Sequence, residues 1–436
     1  MPPVRRWIRQ RQHLPGVRQA LDALEWTHGV ARRLRADADR PAVAGGRPAR
    51  LLPLPIPRPY GRPERRELRR LARAQNTSFA DGRAVARFEQ AFSDRWGARH
   101  AVATSSGTAA LHAALIAAGI GPGDEVIVPV LTHLSTALAA LYQGAVPRFA
   151  DVDPATWNLD PARAAERITE RTRAIVAVHL CGVPAELDAL RGLAEAHGLV
   201  LVEDAAQAHG ALYGGRPVGT HGRLGCFSFQ STKTLTTGEG GLVLTDDDEL
   251  ARRLRVAVNV GETTERGEAS LAIEEFAPNT PLAYESLGWN YRMGALQAAL
   301  GLGQLQRMDS LCAARVRNAA HLRARLQELP GLRLQAAPAG AEPCPSSFFL
   351  ELEPGAPDRD ELTRALRAER VDYRLPYQRP LAGHPLFRQP GSFPVAERIC
   401  RRALGLRVDP ALRRRDLDSV ADALARLLAW KGRPRP

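Results

Sequence analysis

The middle of the chain alternates short apolar runs with helical patterns. Between residues 100 and 206 the runs include "HAVATSS", "DEVIVPV", "VPRFADV", "RAIVAVHL" and "LVLVEDAA", separated by amphipathic stretches such as "AELDALRGLAEAHG". Strands that alternate with helices build βαβ units, whose parallel strands form a sheet covered by helices on both faces. The sequence therefore predicts an α/β fold with a mostly parallel sheet, and ligand chemistry at the carboxyl ends of its strands.

Changes in composition divide the chain into three predicted parts. Residues 1–55 are basic and proline-rich, residues 56–310 carry the alternating pattern, and residues 311–436 combine long Arg-rich helices with mixed pieces such as "SSFFLELE". At 436 residues the chain is longer than a single core normally grows. We predict an N-terminal extension, a large α/β domain and a smaller C-terminal α+β domain.

The positive charge is concentrated at one end. Residues 1–75 contain 18 arginines against 6 acidic residues, a net +12 of the total +13. A solvated basic arm is the simpler interpretation, and an arm that binds a polyanion is the alternative. Since the rest of the chain is nearly neutral, nucleic acid is not an expected partner of the main body.

Several classes of protein are disfavoured. The longest apolar runs, such as "ALHAALIAAGI", fall short of the roughly 20 residues that cross a bilayer. Five scattered cysteines show no C-x-x-C spacing, which argues against a zinc site and a disulfide scaffold. The Arg-rich N-terminus lacks the apolar core of a secretory signal. We expect a protein of the reducing cytoplasm, with no membrane span and no metal site.

Lysine is almost absent. The chain holds 60 Lys and Arg residues, of which only Lys233 and Lys431 are lysines. Unlike a guanidinium, a buried amine can lose its proton and condense with a carbonyl to form a Schiff base. Lys431 stands in the terminal "WKGRPRP" and needs no such role. Chance survival is the alternative for Lys233, so its neighbours decide.

The stretch "ATSSGTAALHAAL" predicts a phosphate-binding turn, because a strand runs into small hydroxylated residues and a glycine before a helix. A helix N-terminus offers free N–H groups and a positive dipole end. Ser106, Gly107, Thr108 and Ala109 are the candidates. The alternative is that the serine only caps the helix. The nearby "GIGPGDEV" precedes a strand instead of following one and is interpreted as a turn.

Two further stretches complete a possible cofactor site. "LVLVEDAAQAHG" places Asp204 at the end of an apolar strand, where a carboxylate needs a cation or a donor; a protonated pyridine nitrogen would serve. The alternative is an aspartate that caps a following helix. In "GCFSFQSTKTLTTGEGG", Ser228, Ser231 and Thr232 could reach a phosphate beside Lys233. Together these features describe a pyridoxal phosphate site.

The sequence resembles the DegT/DnrJ/EryC1/StrS family, the fold-type-I, pyridoxal phosphate-dependent sugar aminotransferases. The resemblance rests on "SSGTAALHAAL", "GPGDEVIVP", "DVDPATWNLDP", "VHLCG", "EDAAQAHGA", "FSFQSTKTLTTGEGG" and "GWNYRMGALQAALG", in this order across roughly residues 60–310. It implies a large domain built on a seven-stranded type of mostly parallel sheet, and a homodimer with shared active sites.

The resemblance also implies roles for individual residues. Lys233 would form the Schiff base with pyridoxal phosphate and move protons, Asp204 would keep the ring nitrogen protonated, and Gln207 would lie near the ring. Asn290 would reach the phosphate of the neighbouring subunit. His133 stands where the family usually has an aromatic ring that stacks on the cofactor, and is either a stacking residue or a bystander. The candidate cofactor-binding residues are Gly107, Thr108, Ala109, His133, Asp204, Gln207, Ser228, Lys233 and Asn290.

The function implied is transfer of an amino group from L-glutamate or L-glutamine to a keto-sugar or keto-cyclitol, in natural-product or surface-sugar biosynthesis. Residues 42–61 resemble the leader of relatives that act on keto-cyclitols or aminohydroxybenzoate precursors. A deoxysugar dehydratase of the same family is an alternative, although such relatives carry histidine in place of the lysine. A regulatory or nucleic-acid-binding relative that uses the basic arm is another. Candidate specificity segments are residues 259–289 and residues 374–387, with Tyr377 and His384.

Overall fold

The structure is a computed structural model that describes residues 40–74, 83–264, 282–387, 389 and 391–430. Most of the predicted basic extension, Lys431 and the middle of the predicted specificity segment 259–289 lie outside the described residues. The described strands, in chain order, are β1 (His100–Thr104), β2 (Glu125–Pro129), β3 (Val146–Ala150), β4 (Thr172–Val178), β5 (Val200–Asp204), β6 (Leu212–Tyr213), β7 (Arg216–Pro217), β8 (Leu224–Ser228), β9 (Gly241–Thr245), β10 (Glu262–Thr264), β11 (Leu282–Tyr284), β12 (Leu332–Leu334), β13 (Ala341–Glu342), β14 (Phe348–Leu352), β15 (Tyr373–Arg374) and β16 (Ala403–Leu406).

A seven-stranded sheet organises the part of the chain that carries the alternating pattern. Its strand order is β1-β9-β8-β5-β4-β2-β3. The pairs from β8 through β3 are parallel, whereas β9 runs antiparallel to both β1 and β8. The prediction of an α/β fold with a mostly parallel sheet is confirmed.

Helices follow most of the strands and cover the sheet. The described helices are α1 (Arg62–Arg73), α2 (Arg83–Trp96), α3 (Gly107–Ala117), α4 (Leu134–Tyr142), α5 (Pro161–Ala165), α6 (Leu187–Ala196), α7 (Asp248–Val258), α8 (Ala295–Leu305), α9 (Met308–Leu326), α10 (Arg359–Ala368), α11 (Pro394–Arg402) and α12 (Arg414–Ala429). Helix α2 ends at Gly97, whose φ of 73° is the left-handed conformation common just after a helix C-terminus. None of the described helices has both the length and the apolarity needed to span a bilayer.

The central strands are buried on both faces, which explains their unbroken apolar runs. In β2, Val126 and Val128 pack into one core cluster, while Ile127, which points to the opposite face, packs into another. In β4, Val176 packs into the first of these clusters and Ile175 into the second. Parallel strands covered by helices lose the alternation of apolar and polar residues that a half-exposed sheet shows.

A second, antiparallel sheet lies in the C-terminal part of the chain. Its four strands run in the order β12-β14-β16-β15. Helices α9, α10 and α12 pack on it and supply Leu322, Leu366 and Leu424 to a third core cluster. The N-terminal half of α9 contributes Met308 to the core of the large sheet. The exact domain boundaries at residues 55 and 310 stay predictions.

The described part of the N-terminal leader packs on this C-terminal unit. The buried Glu369 carboxylate accepts hydrogen bonds from the backbone N–H groups of Ala42 and Ala49, at 2.8 and 2.6 Å. Arg50 forms an ion pair with Asp416 at 2.9 Å. Residues 56–59 then continue to the edge of the large sheet, where they line a cavity.

Candidate functional site

The predicted site residues gather at one edge of the large sheet. Strands β1, β5 and β8 run in the same direction, so their carboxyl ends meet at this edge. Asp204 is the last residue of β5, Ser228 is the last residue of β8, and Lys233 lies in the turn that follows β8. The fold thus brings together residues that the sequence separates by up to 29 positions.

Close packing joins the N-terminus of α3 to β8. A Cβ at Gly107 would lie 2.7 Å from the Cβ of Ser228 and 3.0 Å from its Oγ, so only glycine fits without a shift. Ser106 caps the helix, because its Oγ accepts a hydrogen bond from the Ala109 N–H at 3.1 Å. The N–H groups at the start of a helix have no partner within it. The cap occupies the Ala109 amide and leaves those of Gly107 and Thr108 to face a ligand beside Ser228.

A series of hydroxyl groups leads from this helix terminus toward Asp204. Thr108 Oγ1 lies 2.7 Å from Ser135 Oγ, in the first turn of α4. Also on α4, Thr136 donates its hydroxyl proton to Asp204 Oδ2 at 2.9 Å, and Thr132 Oγ1 lies 3.0 Å from Thr136 Oγ1. These contacts fix the carboxylate relative to the helix terminus.

Asp204 is a buried carboxylate, 5% exposed, held by two donors. Besides Thr136, the backbone N–H of Ala206 donates to its Oδ1 at 3.2 Å. The alternative in which Asp204 caps a following helix is wrong, since the chain continues through turns into β6. Within the described part of the chain no arginine or lysine pairs with it. A buried carboxylate in this state suits a cationic ligand atom.

Lys233 is partly buried, and its environment favours the neutral amine. Burial is the main cause that lowers the pKa of the amine, and the Arg374 charge lowers it further. The Asp204 charge and Cys181 oppose this effect without reversing it. The amine is therefore easier to deprotonate than an exposed lysine, which a nucleophile or general base requires.

Two adjoining cavities meet at Lys233. The smaller one, of about 240 Å³, is also lined by His133, Cys181, Gln207 and Tyr377. The larger one, of about 590 Å³, extends toward the leader and the C-terminal sheet. Residues common to both cavities are Thr232, Lys233, Ser346, Ser347 and Arg374.

His133 and Gln207 both face the smaller cavity. His133 caps α4, with its Nδ1 accepting the Ser135 N–H at 3.2 Å, and its ring remains exposed on the cavity side. Partial burial of the ring, followed by the Lys233 charge, lowers the pKa of His133 and favours the neutral ring. The Gln207 Oε1 accepts the Cys181 N–H at 3.0 Å, and Tyr377 lines the same cavity as Gln207. Of the two residues singled out in the predicted specificity segment 374–387, Tyr377 lines the smaller cavity and His384 lines neither cavity.

Asn290 lies exposed on a segment beside the helix terminus. Its neighbour Tyr291 accepts the Ser105 N–H through its carbonyl oxygen at 2.6 Å, which places the segment against the end of β1. The backbone of Asn290 forms an isolated antiparallel β-bridge with that of Asn259, and Asn290 is exposed. An exposed amide at this position is accessible to a second copy of the chain.

Sequence reasoning did not single out three charged residues around the site, although one of them, Arg374, begins the predicted specificity segment 374–387. Glu203 is fully buried beneath it and accepts three backbone hydrogen bonds. Arg315 and Arg374 line the larger cavity. Strand alternation could have placed Glu203 opposite Asp204, but nothing distinguishes two arginines in a chain so rich in that residue.

The mostly parallel sheet, with the lysine after β8 and the carboxylate at the end of β5, agrees with the fold that the resemblance implies, that of the fold-type-I aminotransferases. A family model described as the DegT/DnrJ/EryC1/StrS aminotransferase family matches residues 62–425. The chain belongs to this family, as its motifs predicted.

Two named relatives each match more than half of the chain. GDP-perosamine synthase of Caulobacter vibrioides is 46% identical over 236 residues, which cover 54% of this chain and 60% of the relative. L-glutamine:scyllo-inosose aminotransferase of Streptomyces griseus is 46% identical over 256 residues, which cover 58% of each chain. Both matches thus span about three fifths of the relative's length.

Among solved structures, DesV of S. venezuelae, in complex with a ketimine intermediate, has a TM-score of 0.75 and 36% sequence identity. The match covers 84% of this chain and 94% of DesV.

Proposed function

We propose that the chain is a pyridoxal phosphate-dependent aminotransferase that moves an amino group from L-glutamate or L-glutamine to a keto-sugar or keto-cyclitol, in natural-product or surface-sugar biosynthesis. The observation that carries the proposal is the position of Lys233. It lies where two cavities meet, its pKa is lowered by burial, and the Asp204 carboxylate lies on the same sheet edge. The presence of lysine at this position argues against a family dehydratase.

The residues at the sheet edge fit the parts of the cofactor. A phosphate suits the start of α3, where the backbone amides of Gly107 and Thr108 lie beside the Ser228 hydroxyl. Because Gly107 has no side chain, the backbone can approach Ser228 closely. Asp204, at the end of β5, suits a protonated ring nitrogen. The imidazole of His133 borders the smaller cavity, beside Lys233. When bound, pyridoxal phosphate supplies an electron sink for cleavage of a bond at the amino carbon.

Lys233 would do the proton chemistry. Its neutral amine can attach the cofactor and can accept or return a proton at the substrate carbon. Gln207 and Tyr377 line the same cavity, and burial raises the pKa of the Tyr377 hydroxyl. This hydroxyl therefore stays protonated at neutral pH and acts as a hydrogen-bond donor at the cavity wall.

A homodimer with shared sites is part of the proposal. Large apolar side chains are exposed on α4 and on the segment around Asn290; they are Leu134, Tyr142, Tyr284, Leu287 and Leu296, which are 38–85% exposed. Tyr142 and Trp289 contact the same His112 ring, which brings the two regions together. Exposed apolar surface of this kind is typical of a protein interface.

The cytoplasm is the proposed location of the protein. All five cysteines are free thiols, which is typical of proteins in a reducing compartment.

Visible absorption of the protein with pyridoxal phosphate tests the proposal. We expect a lysine-dependent absorption band that disappears when L-glutamate or L-glutamine donates its amino group. Lys233→Ala and Lys233→Arg should both lack the band, because neither side chain offers a reactive amine. Lys431→Ala is the matched control, since it removes the only other lysine. A wild-type protein without the band, or a band lost in Lys431→Ala, would contradict the proposal.

A further inference from the structure

The larger cavity is strongly cationic. Among the described residues that line it are six arginines and Lys233, against a single carboxylate, Asp409. Its volume of about 590 Å³ lies within the range of small-molecule binding sites. It opens directly onto Lys233, so a ligand here would lie next to the reacting amine.

Two of these arginines already have acidic partners. Arg307 pairs with the buried Glu64 at 2.9 Å. Arg407 pairs with Asp409 at 2.8 Å and with Asp372 at 3.0 Å. Their charges are largely neutralised within the protein, so they do not need an anionic ligand.

Arg315, on α9, differs from them because it is buried without a carboxylate. It is 7% exposed, and its Nη1 donates to the Ser346 carbonyl oxygen at 2.9 Å. Its Nε is buried and has no hydrogen-bond partner, and no ion pair joins Arg315 to any acidic residue of the described ranges. Burial lowers the pKa of this guanidinium, yet arginine stays protonated at neutral pH. An unpaired buried cation is costly, so an anion is the missing partner.

Arg374, on β15, stands at the junction of the two cavities. Its side chain is exposed, and none of the acidic residues described forms an ion pair with it. Its charge influences both Lys233 and Arg315. Because Lys233, Arg315 and Arg374 all line the larger cavity, an oxyanion bound there would lie near the reactive amine and both guanidinium groups.

We propose that Arg315 and Arg374 form a subsite for an oxyanion of the substrate, either a carboxylate of the amino donor or a phosphate of the acceptor. The planar guanidinium fork matches both groups with paired hydrogen bonds, and the buried position of Arg315 strengthens the attraction. The inference rests on the proposed function and deepens it, because it names the chemical group that orients one substrate beside Lys233.

Calorimetric titration of the pyridoxal phosphate-loaded protein with two probes tests the subsite. Inorganic pyrophosphate represents the phosphate source, and glutarate, a dicarboxylate without an amino group, represents the donor. In Arg315→Gln and Arg374→Gln we expect the dissociation constant of at least one probe to rise about tenfold or more. Arg317→Gln is the matched control, because Arg317 is exposed on the same helix outside the cavity and should leave binding unchanged.

The pattern of loss identifies the source. Weakened pyrophosphate binding alone assigns the subsite to the acceptor, weakened glutarate binding alone assigns it to the donor, and loss of both indicates a shared subsite. If the wild type binds neither probe, or if both variants bind like wild type, the proposal is wrong. If Arg315→Gln fails to fold, probe binding by Arg374→Gln, a substitution at an exposed residue, decides the outcome. A lysine-dependent absorption band that survives in these variants separates this test from that of the proposed function.

Discussion

Gly107 shows how one missing methyl group shapes the candidate phosphate site. In Gly107→Ala the new Cβ would meet Ser228 atoms at 2.7 and 3.0 Å, so either α3 or the end of β8 must move. We expect the dissociation constant of pyridoxal phosphate to rise at least about tenfold, which a shift of about 1.4 kcal/mol produces. Fluorescence or absorption titration of the cofactor measures it.

Gly192→Ala is the control for this change. Gly192 is exposed within α6, and a Cβ there meets nothing within 4 Å. The substitution should leave cofactor affinity unchanged and stabilise the protein by about 0.5–1 kcal/mol, because alanine favours the helix. Equal cofactor affinity in Gly107→Ala and wild type would show that the close contact does not shape the site.

Because of the buried His209, we expect the folded protein to lose stability in mild acid. It is fully buried between Phe227 and Phe229, and burial, followed by the charges of Lys233 and Arg315, lowers its pKa to about 3. In the unfolded chain the pKa of this ring is about 6.5. Below that pH the unfolded chain therefore binds a proton that the folded state excludes. Stability therefore falls as pH decreases, by about 2 kcal/mol at pH 5 from this residue alone.

Denaturant unfolding from pH 8 to pH 5 measures this dependence. In His209→Leu the slope should decrease by up to about 1.4 kcal/mol per pH unit, because the titrating group is gone. The exposed His197→Leu keeps the wild-type slope and serves as control. An unchanged slope in His209→Leu would contradict the assignment.

At the residue scale, the sequence could single out a candidate where the residue type carries its own chemistry. Lysine is scarce in this chain, and a glycine at a strand-to-helix turn is a local signal, so Lys233 and Gly107 could be found from the sequence. Arg315 could not, because its importance comes from burial without a carboxylate, which depends on how α9 packs against the segment at Ser346.

At the scale of elements, one buried carboxylate organises the loop that leads into β8. Glu203 accepts the N–H groups of Gly219, His221 and Gly222 at 2.6–2.7 Å, and His179 Nε2 lies 3.0 Å away. Burial alone would raise the pKa of Glu203, but the contacts with His179 and the amides outweigh burial and lower it. The loop therefore reaches β8 in a fixed conformation, which positions Ser228.

Glu203→Gln should destabilise the protein by about 3 kcal/mol or more at neutral pH. The new amide group turns N–H donors toward backbone N–H donors in a fully buried site, which leaves these donors without acceptors. Chemical denaturation compares it with Glu195→Gln, an exposed substitution on α6 expected to stay within about 0.5 kcal/mol of wild type. Similar midpoints for the two variants would show that the carboxylate is dispensable.

Elements with strong periodicity were predicted, and short elements were not. The alternating pattern identified β1 to β5 and their helices, because apolar runs buried on two faces leave a clear signal. The two-residue strands β6, β7 and β13 form a small sheet of their own. No two-residue strand has a periodicity, so only tertiary contacts define it.

At the scale of the whole molecule, the proposed dimer predicts complementation between inactive variants. If Asn290 acts on the neighbouring subunit's site, a mixed dimer of Lys233→Ala and Asn290→Ala contains one site with both defects and one intact site. Random mixing should then restore roughly a quarter of the wild-type sites, because half of the dimers are mixed and each has one intact site of two.

Co-expression of the two variants and measurement of amino transfer from L-glutamate or L-glutamine test this arrangement. Each variant expressed alone is the control and should be at least about tenfold less active than wild type. If Asn290 acts on its own subunit, every site carries a defect and the mixture gains nothing over the separate variants.

The sequence by itself determined the α/β class, the family and the identities of the lysine, aspartate and glycine at the sheet edge. These follow from periodicity and from residue types whose chemistry has few substitutes. Only the tertiary structure decided that the leader packs on the C-terminal unit through Glu369, that Glu203 fixes the loop before β8, and that Arg315 is buried without a carboxylate partner. Such features depend on contacts between distant segments, and the free energy of a charge depends on what the folded chain places around it.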